Sequence, residues 1–142
     1  MNHIKVSSGT HHVNSGLAIA CGTAHIEASG SATVILFDQA TARASGQSHC
    51  TAMGESKVVL LGNAEAVMHK HSQLEAYDQS TWIAMDDSTV TAHDTSNGFV
   101  GQRAVFHGRG SAKAYSMSSG DFTLEDNAVL EVVQNGKLVV YP

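Results

Sequence analysis

Residues 30–45 read GSATVILFDQATARAS, and residues 78–93 read DQSTWIAMDDSTVTAH. Each is two octads of one pattern: a Gly or Asp, a polar residue, a small third residue, and a stretch whose fifth and seventh positions are apolar. Cutting the chain every eight residues from Asn14 carries the pattern outward both ways, without insertion, to sixteen octads over residues 14–141. The third position is Gly, Ala or Ser in all sixteen, from Gly16 and Ala24 to Ala128 and Gly136. Those three types make 47 of 142 residues, so chance agreement is on the order of 10⁻⁸ and the period is architectural.

Within an octad, positions three, five and seven point one way and four, six and eight the other, the period of two that belongs to a β-strand. Positions one and two collect Gly, Asp, Asn, Gln and Ser, which turn corners. No helix keeps one face at this spacing. The chain is therefore expected to be all-β, a single-domain parallel β-helix over residues 1–142 whose octads are each a short strand and a corner. Residues 1–13, where the octad signal is weak, and the C-terminal QNGKLVVYP are the expected end caps, because a solenoid's terminal strands leave open edges.

The number of octads per coil follows from which residues stack. At the fifth position the series Val34, Val58, Trp82, Phe106, Leu130, spaced by 24, is uniformly large, and Ala18, Ala42, Ala66, Val90, Ala114 is mostly small. Matched columns predict three octads per 24-residue coil, a triangular prism. The pattern leaves its hand open.

The units GSATVILF, DQATARAS, DQSTWIAM and DDSTVTAH resemble those of short tandem-repeat β-solenoids in uncharacterised proteins of bacteria and their phages. In weaker form the resemblance extends over about nine tenths of the chain. It implies a β-helix and a phage or mobile-element origin, and no activity.

With three octads per coil, one face gathers apolar outward residues: Ile35 and Phe37, Val59 and Leu61, Ile83 and Met85. His107 and Arg109, with Glu131 stacked beside His107, form its border. Six large apolar side chains make a patch on the order of several hundred Å², more than a soluble monomer usually exposes. A homo-oligomer interface is the expected cover, and a folded-back terminal segment the alternative.

Nine histidines are many for this length. The same spacing stacks His25 on His49, beside Glu27, and His69 on His93. Such pairs could share zinc, though two ligands make a weak site and solvated ladder histidines are the plainer reading. A face bearing His69, Tyr77 and His93 is the candidate glycan or metal site, and no cofactor is required.

Catalysis is not expected. The aspartates Asp38, Asp78, Asp86, Asp87, Asp94 and Asp126 sit at corners, and no Ser-His-Asp or Cys-His pattern is present. A net charge of −5 with eight Lys plus Arg argues against nucleic acid. No apolar run is long enough to span a membrane and no export signal is read, so a cytoplasmic protein is expected, with a virion-associated one as the alternative. Cys21 and Cys50 are placed on different faces with opposite orientations, unsuited to a disulfide. The leading functional expectation is a non-catalytic, self-associating structural or adhesive module. The alternative is a carbohydrate or metal binder.

Overall fold

A computed structural model describes residues 3–101, 103–117, 121–134 and 137–141. Its first strands are β1 (His3–Val6), β2 (Thr10–Val13), β3 (Leu17–Ala20), β4 (His25–Ala28), β5 (Thr33–Leu36), β6 (Thr41–Ala44), β7 (His49–Ala52), β8 (Lys57–Leu60) and β9 (Glu65–Met68). They continue as β10 (Gln73–Ala76), β11 (Thr81–Ala84), β12 (Thr89–Ala92), β13 (Asn97–Val100), β14 (Val105–Gly108), β15 (Lys113–Ser116), β16 (Asp121–Leu124), β17 (Val129–Gln134) and β18 (Lys137–Tyr141). The parallel β-solenoid expected from the octads is what forms, and each octad from residue 14 to residue 133 supplies one strand.

The odd strands and β18 build a ten-stranded sheet, wall A, and the even strands β2 to β16 an eight-stranded sheet, wall B. A coil is therefore two octads. Ile35 lies beside Ile19 and Thr51, Val59 beside Arg43 and Glu75, and Ile83 beside Val67 and Phe99. This corrects the triangular coil of three octads.

The reason for the correction lies in the columns that actually stack, sixteen residues apart: Val34 pairs with Ala18 and Cys50, Val58 with Ala42 and Leu74, and Trp82 with Ala66 and Gly98. Large and small side chains follow one another up a wall, as where the Trp82 indole lies against Gly98, so close packing does not require a column of uniform volume. The uniformly large series 24 apart alternates between walls, with Val34, Trp82 and Leu130 on one and Val58 and Phe106 on the other.

The corners are as regular as the strands. From Gly22 to Asp126 every described first position has positive φ: six glycines, Lys70, and the aspartates Asp38, Asp78, Asp86, Asp94 and Asp126. Glycine takes this left-handed conformation without penalty, and aspartate is among the few side chains that tolerate it. Each of these aspartates also accepts, through Oδ2, the backbone N–H of the first position one coil earlier, from Asp38 to Gly22 at 3.0 Å through Asp126 to Gly110 at 3.1 Å. A corner N–H outside the strand ladder is thus satisfied by the next coil. Buried third-position serines close the turn from inside: Ser48, Ser72, Ser80, Ser88 and Ser96 donate their hydroxyls to the carbonyl three residues back at 2.7–2.8 Å.

The ends differ from the middle. Strands β1 and β2 extend both walls, but His3 pairs with Leu17 and Thr10 with His25, offsets of 17 − 3 = 14 and 25 − 10 = 15. The first coil is a shortened version of the others, which is why the octad frame fades before Asn14; residues 1 and 2 of this expected cap lie outside the described residues. At the other end β18 reverses and pairs antiparallel with β17, so the sixteenth octad caps wall A instead of starting another coil. Residues 135, 136 and 142 of that expected cap lie outside the described residues.

Candidate association face

The two outer surfaces are chemically unlike. On wall A the sixth-position column runs Ile19, Ile35, Thr51, Val67, Ile83, Phe99, then Tyr115 and Glu131. The corner column beside it holds Cys21, Phe37, Met53, His69, Met85, Gly101, Met117 and Val133. At β18 the columns continue, since Val140 pairs with Glu131 and Leu138 with Val133. Directly opposed residues of an antiparallel pair point to the same side. Of the eight strongly exposed large apolar side chains among the described residues, Phe37, Ile83, Met85, Tyr115, Met117, Leu138 and Val140, between 39% and 65% exposed, belong to these two columns; the eighth, Tyr141, ends β18 opposite Leu130. Among the described residues no strongly exposed large apolar side chain lies on wall B.

A shallow trough of about 450 Å³ runs along wall A between the sixth-position column, including Val67, Phe99 and Tyr115, and the fourth-position column of His49, Glu65, Thr81 and Asn97. Gly98 lies in its floor, where an added Cβ would overlap the indole and carbonyl of Trp82 on the neighbouring strand. The Trp82 and Phe106 rings meet 5.5 Å apart in the core. Cys50, also in the trough floor, is buried, and burial pushes its thiol up to about 12, so it is a packing group and not a nucleophile.

Wall B carries polar ladders. His25 lies 2.6 Å from Thr41 Oγ1 and 3.1 Å from Glu27 Oε1. Tyr77 donates to Glu75 at 2.9 Å, which raises its phenol, and its ring stacks on His93 at 4.4 Å with 3° between planes. Arg109 follows His93 in the same corner column and donates to Glu125 at 2.7 Å, which raises the guanidinium further. His93 Nε2 is buried without a hydrogen-bond partner.

The sequence-derived patch is split by this arrangement. Ile35, Phe37, Ile83 and Met85 share wall A, whereas Val59, Leu61, His107 and Arg109 belong to wall B or its corners. His107 lies between Thr91 and Thr123, not against Glu131, which neighbours Tyr115. The histidine pairs are separated for the same reason. His25 is on wall B and His49 on wall A, where it pairs with Glu65 at 3.5 Å. His69 ends a wall A strand beside Asp86 at 3.8 Å, while Tyr77 and His93 end wall B strands, so those three do not form one site. Among the described residues no three His, Cys, Asp or Glu side chains gather as a metal would need.

Both cysteines are free. They belong to the same wall, not to different ones, Cys50 turned inward and Cys21 at a corner. The face residues Ile19, Val67, Phe99, Tyr115 and Met117 escape a three-octad reading and stand out when outward positions are read every second octad.

Among the described residues no helix is long and apolar enough to cross a membrane. No protein-family model, curated protein or solved structure matches the chain, so its class rests on the fold itself: a two-walled parallel β-solenoid with one apolar and one polar face.

Proposed function

We propose that this protein is a non-catalytic structural module, a rigid solenoid that self-associates through the outer face of wall A and keeps wall B in water. The segregation of exposed apolar side chains onto wall A carries the reading. Such a face is the usual mark of an association surface on a soluble protein. Catalysis fits poorly because the titratable groups serve the scaffold: aspartates hold corners, and the wall B acids pair with His25, Tyr77 and Arg109. The octads' resemblance to bacterial and phage solenoids suits a fibre-like or adhesive component.

A contrast of two variants tests the reading by light scattering. Ile83→Glu on wall A is expected to abolish association, and Val59→Glu on wall B to leave it intact, with far-UV circular dichroism unchanged in both. Equal behaviour of the two would contradict it.

A further inference from the structure

We infer that the occupant of wall A is a second copy of this chain, packed face to face with its solenoid axis reversed about a twofold axis that runs along the strands between β11 and β13. The inference rests on wall A being the association face. A twofold axis so placed brings β11 against β13 of the second copy, β9 against β15, β7 against β17 and β5 against β18, with each outward column facing itself.

Four features of the face select this register. First, the strongly exposed apolar side chains of the face run from Phe37, at the end of β5, to Leu138 and Val140 of β18, eight strands whose midpoint falls between β11 and β13. Ile35 and Phe37 then meet Val140 and Leu138 of the second copy, covering the exposed side chains of the cap strand. Secondly, Glu65 comes opposite Lys113. These are the described charges of the fourth-position column on these strands apart from any on His49, and each lies the same distance from the axis. In its own chain Lys113 also reaches Glu131 at 3.2 Å, leaving ammonium donors for a second carboxylate. Thirdly, Met85 meets Gly101, a long flexible side chain over the residue of that column without one. Fourthly, two alternatives place like charges together. Parallel solenoid axes, with the sixth-position columns in contact and in common register, set Glu131 on Glu131, and a reversed pair centred on β9 sets Glu65 on Glu65, each costly at an interface.

The size is adequate. Eight strands about 4.8 Å apart and about 16 Å wide cover on the order of 600 Å² per copy, about 1,200 Å² in all, the lower end of stable interfaces. Isologous contact also closes the assembly at two copies, where a head-to-tail contact would propagate.

Charge exchange and cross-linking test the pairing in the intact chain. Glu65→Lys and Lys113→Glu are each expected to weaken dimerisation about tenfold or more in sedimentation equilibrium at low salt, and the double exchange to restore it to within about threefold. In a Cys21→Ser background, Val67→Cys with Tyr115→Cys is expected to yield a covalent dimer with a short bis-maleimide. Val67→Cys alone should not, because in this register its two copies stand three strands, about 14 Å, apart along the axis. A dimer that Ile83→Glu dissociates, but that ignores the charge variants and cross-links through Val67→Cys alone, overturns the register and leaves the face intact. A wild-type chain that stays monomeric overturns both.

Discussion

At the scale of single residues, the corner aspartates explain how the coil turns without a glycine at every corner. Asp78 has φ of 58° and accepts the Gly62 N–H at 2.9 Å. Alanine there keeps the strain and loses the acceptor, so Asp78→Ala is expected to lose about 1–2 kcal/mol in urea unfolding, while Asp78→Gly relieves the backbone and loses much less. Asp86 adds a pH dependence. The Lys70 N–H, and after it the nearby cations, hold its carboxyl below the usual carboxylate range. A group depressed on folding contributes stability that is complete above its unfolded pKa and is lost as pH falls through the folded one. Asp86→Asn is therefore expected to show a shallower loss of thermal stability on acidification than the wild type; identical acid profiles would count against the bond. The sequence marks these aspartates as turn residues. Their reach to the previous coil becomes visible only once the coil length is known.

At the scale of the element, each strand and its opposite number share one layer of core. Leu36 is fully buried in that core, so Leu36→Ala is expected to cost about 3 kcal/mol in urea unfolding. Gly98 is the complementary case, since a methyl there strikes Trp82; Gly98→Ala should destabilise by at least about 2 kcal/mol in the same assay. Strand position and side-chain direction were legible from the octads alone, because the period of two is local. Coil length was not. Val34, Val58 and Trp82 are all large, yet Val58 stands on the opposite wall from the other two, because a stacked column accepts a large residue beside a small one, as Trp82 beside Ala66 and Gly98. The cap strand was legible as an end segment, but its antiparallel return was not, because its octad alternates like the rest.

At the scale of the whole molecule, a two-octad coil gives the chain two faces where a three-octad coil gives three, and the consequence for function is large. Half of the sequence-derived patch survives on wall A, joined by Val67, Phe99, Tyr115 and Met117, and the face becomes longer and more uniform than the sequence suggested. The candidate histidine sites dissolve because their members stand on opposite walls. What remains is a rod about 45 Å long at the strand spacing of a parallel sheet, apolar along one side and hydrated along the other. Sedimentation equilibrium of the wild-type chain at micromolar concentration examines this most directly. A species of twice the 14.9 kDa chain mass is the result expected, and a single species at 14.9 kDa across the concentration range is the result that contradicts it.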